Sequence, residues 1–154
     1  MNGRLAQFND PGAVAHYAEG PSRIVPGLAA LHRMTGIVIA ERVAADAALL
    51  VLGAGGGLEM KALADVYPGW TFDGVDPSRE MLALAGQTLG LHAARARLHE
   101  GIIDIAPEGP FDAAVCLLTL HFLPPDERLR TLVALRRRLK PGAPFVVAHS
   151  SFSQ

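Results

Sequence analysis

ALLVLGAGGGLEM, residues 48–60, is the stretch on which the fold turns. Its first five residues, Ala48 to Leu52, are apolar without a break, as suits a strand covered on both faces by helices. Glycines at 53, 55, 56 and 57 close the run, and a helix is predicted from Leu58 to Val66, ended by Pro68-Gly69. Glycines between a strand and a helix let the backbone turn sharply and approach a ligand closely. The helix that follows offers unpaired N–H groups and the positive end of its dipole. A tight turn that binds nothing would carry the same residues, so the loop alone does not decide between binding and structure.

Outward from this loop the alternation repeats. Thr71 to Val75 predicts a second strand, Ser78 to Leu89 a helix entered through Asp76-Pro77-Ser78, and Arg97 to Glu100 a third strand. Phe111 to Leu118 predicts a fourth strand. A helix from Asp126 to Leu139 follows, with Leu129, Leu132, Val133, Leu135 and Leu139 on one face. Lys140-Pro141-Gly142 stops it, and Phe145 to Ala148 is the last strand. Upstream, Leu28, Leu31, Met34, Ile37, Val38 and Val43 predict one helix from Ser22 to about Ala45, with Pro26 limiting its first turn. Met1 to Pro21 reads as an irregular arm or loosely held lid, with a helical turn at Val14 to Tyr17. Strands alternating with helices over short connections require right-handed crossovers and a parallel sheet. The expectation is an α/β fold, doubly wound, of about five strands, forming a single globular unit. Residues 1–46 make its arm and first helix, and residues 47–154 its binding domain.

With 154 residues, half of them apolar, the chain buries one core and not two. Fourteen Lys and Arg against fifteen Asp and Glu leave a formal charge of −1, which draws the chain to neither nucleic acid nor a membrane surface. Small-molecule chemistry fits that balance. Arg136, Arg137, Arg138 and Lys140 form a basic run, but in the last turns of a helix, where cations suit the dipole. The single cysteine, Cys116, sits in an apolar run, so it reads as core, and a reducing cytoplasm is the expected compartment. No segment reaches the ~18 apolar residues of a membrane span. His16, His32, His92, His99, His121 and His149 lack metal-ligand spacing, and no metal is expected. His121, after the fourth strand, reads either as a surface residue or as one that orients or deprotonates an acceptor. Tyr17 and Arg23 either pack ordinarily or close over a ligand.

Asp76 stands at the carboxyl end of the second strand, 23 residues after Gly53. In an open α/β sheet that position lies beside the glycine loop, where a carboxylate can accept from both hydroxyls of a ribose. Capping the helix that starts near Ser78 is the plainer role. Loop and acid together point to a nucleoside. The dinucleotide fingerprint wants a glycine at its sixth position, where this chain has Leu58, and no Gly-Lys-Ser/Thr follows the loop. A nicotinamide, flavin or Walker-type site is therefore disfavoured.

LLVLGAGGGLEM (49–60), FDGVDPSREML (72–82), FDAAVCLLTLHFLPPDERLRTL (111–132) and LRRRLKPGAPFVVAHS (135–150) resemble the successive motifs of class I S-adenosylmethionine-dependent methyltransferases. The resemblance covers Ala48 to Ser150 and implies a Rossmann-like sheet with S-adenosyl-L-methionine as cofactor. It implies that Gly53, Ala54 and Gly55 line the methionine moiety, that Asp76 with Pro77 holds the ribose, and that Met81 packs near the adenine. Ile102, Ile103 and Asp104 would wrap the adenine edge, and Leu117 would close the sulfonium pocket. No catalytic residue is assigned, because in-line displacement at a sulfonium needs orientation rather than an enzymic nucleophile. RIVPG (23–27), LTLHFL (118–123) and the ending Ser151-Phe152-Ser153 are further similar to carboxy-S-adenosylmethionine synthases. Two acids common in the family are replaced here by Val51 and Ile102. Each missing contact is worth about 1.5–3 kcal/mol where buried and paired.

The family also adds an antiparallel pair after the fifth strand, and this sequence is expected to lack it. Its last strand would then be an apolar edge, and either the sequence is a fragment or a second copy covers that edge in a homo-oligomer. The expected function is transfer of a methyl or related group to a small acceptor. A non-catalytic binding module and a carboxy-S-adenosylmethionine synthase-like enzyme are the alternatives.

Overall fold

The computed structural model describes residues 7–17 and 20–150; the ending Ser151-Phe152-Ser153 and parts of the N-terminal arm lie outside them. Five strands, β1 (Ala48–Leu52), β2 (Thr71–Asp76), β3 (Ala96–Glu100), β4 (Ala113–Leu117) and β5 (Phe145–Ala148), form one parallel sheet in the order β3-β2-β1-β4-β5. The helices are α1 (Pro11–Ala15), α2 (Gly20–Ile24), α3 (Leu28–Ala40), α4 (Leu58–Val66), α5 (Arg79–Leu89) and α6 (Pro125–Arg137). This is the doubly wound Rossmann-like sheet expected. Among the described residues it carries no antiparallel pair.

The unbroken apolar run of β1 follows from its place. Leu49 and Val51 pack into one layer with Met60, Leu63, Trp70 and Phe72, while Leu50 and Leu52 pack into the other with Ala114, Cys116 and Leu135. Both faces are dry, so no alternation with polar residues survives. Among the described residues no helix is long and apolar enough to cross a membrane.

Upstream of β1 the structure corrects the reading. The single helix from Ser22 to Ala45 is broken, because Gly27 takes φ 77 and separates α2 from α3, which itself stops at Ala40. The face turned inward carries Thr35, Gly36 and Ile39, whereas Met34, Ile37 and Val38 are about half exposed. Gly36 explains the choice, since a Cβ there would meet the Tyr67 ring at 2.7 Å. The bare backbone lets α3 close on α4. Further on, β4 is shorter than expected: Phe111 makes only an isolated bridge to Leu139, and Leu118 leaves the strand at φ 55.

Long-range polar contacts tie the edge of the sheet together. Arg97 of β3 donates from Nε and a terminal nitrogen to the buried Asp73 of β2, at 3.0 and 2.7 Å, and His99 Nε2 meets the same carboxylate at 2.7 Å. Arg95 donates to the carbonyls of Ala64, Tyr67 and Trp70, holding the end of α4 and the turn after it. Of the basic run at the end of α6, Arg138 donates to Ala134, Ala106 and Asp104 carbonyls, and Lys140 pairs with Asp112 at 2.6 Å.

Candidate cofactor site

The strand order reverses between β1 and β4, and ligands of such sheets bind beyond the carboxyl ends of the strands at that point. A cavity of about 220 Å³ opens there. Its floor is the turn after β1. Gly53 and Ala54 N–H donate to the Val75 carbonyl, Gly55 N–H to Asp76 Oδ2 at 3.0 Å, Gly56 N–H to the Met81 carbonyl and Gly57 N–H to the Ala54 carbonyl. All five amides of the loop are thus used internally, and none is left to cradle a phosphate. Gly53 must be glycine on two counts, for it sits at φ 76 and a Cβ would collide with Thr119. A Cβ on Gly55 would meet Asp76 Oδ2 at 2.8 Å and Met81 Cε at 2.9 Å, filling the space over the acid.

Asp76 ends β2 with its carboxylate divided between Gly55 N–H and Ser78 N–H, the latter 2.9 Å from Oδ1. Ser78, not Asp76, caps α5, its Oγ accepting from Met81 N–H at 3.1 Å. That leaves Asp76 to the cavity. Burial raises its pKa, against the lowering effect of the two amides. Each oxygen takes one N–H and keeps a lone pair, which is what two neighbouring hydroxyls require.

Gly53, Gly55, Asp76, Pro77, Met81, Ile102, Ile103 and Leu117 all line this cavity. Two expected residues do not. Ala54 is fully buried beneath the loop, close to Gly74 and Met60. Asp104 is corrected outward: the 3-10 turn Ile103–Ile105 directs Ile103 into the core, and Asp104 instead pairs with Arg130 at 3.0 Å on the surface. His121 is not a lining residue either; its Nδ1 accepts from Ser150 N–H at 3.4 Å and its ring lies tilted on Phe122. Arg23 is exposed and away from the lining.

Three features come from far along the chain. The arm covers the cavity through Phe8, Asn9 and Tyr17, with the Phe8 carbonyl accepting from Ser78 Oγ and the Phe8 ring meeting Tyr17 and Phe122 edge-on at 5.9 and 5.7 Å. Leu118, at φ 55, and Thr119 turn the chain across the opening after β4. Glu59 was missed by sequence reasoning. It occupies the first turn of α4, lines the cavity and is only 7 % exposed. Burial foremost, then Asp76, push its carboxyl up to about 7, although its own backbone N–H works the other way. An acid two residues past the last glycine of a loop was the available signal. Tyr17 is raised to about 12 by burial and by the nearness of Glu59 and Asp76.

Comparison with known proteins agrees with this geometry. Residues 50–145 match the family model described as a methyltransferase domain. The chain is 33 % identical over 150 residues to a carboxy-S-adenosyl-L-methionine synthase of Chromohalobacter salexigens, an alignment covering 94 % of this chain and 56 % of the relative. An amino pentose methyltransferase from Micromonospora echinaspora, solved with S-adenosylmethionine bound, is 28 % identical with a TM-score of 0.65, over 93 % of this chain and 57 % of that one. The DesVI protein of Streptomyces venezuelae, at 21 % identity and a TM-score of 0.69, matches in fold over 93 % of this chain and 57 % of its own. The chain therefore spans little more than half the length of these relatives.

Proposed function

Because the chain belongs to the methyltransferase-domain family, we propose that its cavity binds S-adenosyl-L-methionine and serves transfer of the methyl group to a small-molecule acceptor. The observation that carries this reading is Asp76, which accepts from Gly55 and Ser78 amides on its two oxygens and lines a cavity floored by the glycine loop. The residues fit the group. A ribose needs the free lone pairs of Asp76, an adenine needs the apolar wall of Met81, Ile102 and Ile103, and the loop amides, already spent, speak against a pyrophosphate.

When bound, the cofactor supplies an electrophilic methyl on a sulfonium. The chain's part is orientation and exclusion of water. Asp76 fixes the ribose, Ile102 and Ile103 hold the base, and Leu117 to Thr119 with Phe8 and Tyr17 line the remaining wall, where an acceptor would lie. We further place the protein in the cytoplasm and expect it to act as a homo-oligomer, with neither membrane nor nucleic acid as partner.

A second reading, carboxy-S-adenosylmethionine synthesis, is favoured by the 33 % identity to the curated relative. Mass spectrometry of the recovered cofactor separates the two. Methyl transfer leaves S-adenosylhomocysteine, whereas carboxylation leaves a sulfonium with an added carboxyl group.

Titration calorimetry tests the binding itself. The chain is expected to bind S-adenosylmethionine and S-adenosylhomocysteine and not NAD. Asp76→Ala should weaken both ligands at least about tenfold, the worth of a charged acceptor of two hydrogen bonds. Unchanged affinity in that variant would remove Asp76 from the site.

A further inference from the structure

The cavity holds a second carboxylate that the ribose does not need. Glu59 lies in the first turn of α4, 7 % exposed, and among the described residues no other residue donates a hydrogen bond to it. The groups around it offer no cation. Tyr17 of the arm and Asp76 of β2 bear on it, Cys116 of β4 feels its charge, and His32 of α3, whose pKa burial lowers, lines the same cavity. Arg130, also in the lining, is paired with Asp104. A buried carboxylate without a cationic partner is costly, and the cost is relieved when a ligand brings the opposite charge.

We infer that Glu59 is the counter-charge for the ammonium of the cofactor's amino-acid end, standing in for the acid that the family often carries at the position of Val51. The inference rests on the reading that this cavity takes S-adenosylmethionine. Ribose at Asp76 and ammonium at Glu59 make a site with one carboxylate for each polar end of an adenosyl amino acid. A phosphate-bearing nucleotide is turned away by the same two charges. Glu59 acts only when ionised, and its elevated pKa means that a ligand cation draws the proton off near neutrality.

The test is titration calorimetry on the full chain and its Glu59→Gln variant with three ligands. Of positive charges, S-adenosylmethionine carries sulfonium and ammonium, S-adenosylhomocysteine only the ammonium beside its carboxylate, and 5′-methylthioadenosine none. Glu59→Gln should weaken the first two about tenfold or more and leave 5′-methylthioadenosine within about twofold. An equal loss for all three, a loss confined to S-adenosylmethionine, or no loss overturns the assignment. If the unaltered chain binds none of the three, the cofactor reading itself has failed, and this inference falls with it.

A second measurement needs no variant. Between pH 5.5 and 7.5, where the ligand's ammonium stays mostly protonated, affinity of the unaltered chain for S-adenosylhomocysteine should rise about tenfold more than that for 5′-methylthioadenosine. The difference between the ligands removes the contribution of Asp76, which both engage. A profile for S-adenosylhomocysteine that rises no more than that for 5′-methylthioadenosine overturns the proposal even if Glu59→Gln does not fold.

Discussion

Glu59 has a consequence for stability as well as for binding. Its carboxyl titrates near 7 in the folded chain against an ordinary 4.5, because burial disfavours the charged form. Folding therefore takes up a proton. The group's best contribution is present below about pH 4.5 and is lost as pH rises through about 7, a difference of about 3 kcal/mol in all. Glu59→Gln removes that dependence. Denaturant unfolding should find the variant more stable than the parent at pH 8, with the gap closing towards pH 5. A gap that is absent, or that widens on acidification, would contradict the buried and uncompensated carboxylate seen here. Asp76 is raised in the same direction, chiefly by burial, which both proteins share.

At the scale of elements, the arm borders the cavity. The 3-10 turn Gln7–Asn9 and α1 dock on the start of α5, with Asp10 capping α1 through Gly12 and Ala13 amides at 2.7 and 3.0 Å. The Phe8 ring bridges Tyr17 of the arm and Phe122 after β4, and all three line the cavity. The cavity of about 220 Å³ is smaller than the ~300–1,000 Å³ usual for small-molecule pockets, and the arm lines it, so the arm is expected to shift when a cofactor binds. Edge-on aromatic pairs are worth about 0.5–1.5 kcal/mol each. Phe8→Ala should therefore speed release of S-adenosylhomocysteine about tenfold in stopped-flow displacement while leaving the melting temperature nearly unchanged. An unaltered release rate would show that the arm is no gate. The elements themselves were legible beforehand, since β1, α4 and β5 have the bounds their apolar patterns indicate. The helix before β1 was not, because Met34, Ile37 and Val38 repeat at helical spacing without facing the core.

For the whole molecule, the sheet order leaves β5 paired on one side only among the described residues. Val147 on that edge is 42 % exposed, and a second apolar surface, with Ile24 at 79 % and Met34 at 56 %, lies on α2 and α3. A strand edge with free N–H and C=O groups is a template for another copy. Light scattering over a concentration series should find a dimer or larger, and Val147→Lys, which places a charge on the edge, should shift it towards monomer. A parent chain that stays monomeric at high concentration would refute edge pairing as the mode of association.

What the sequence by itself determined is the parallel α/β alternation, the dry character of β1 and the pairing of glycine loop with Asp76. These rest on periodicity and on short-range spacing, which backbone geometry converts directly into structure. Tertiary structure alone decided that Ser78 rather than Asp76 caps α5, that Asp104 turns out to Arg130 while Ile103 turns in, and that Glu59 faces the cavity. Each depends on a partner remote in the chain. Ser78 reaches back to the Phe8 carbonyl, Asp104 to a helix 26 residues on, and Glu59 shares its enclosure with Tyr17 and His32 from the arm and α3. The direction of a side chain at a helix start or in a turn is set by what packs over it, and that is fixed only when the sheet has brought distant segments together.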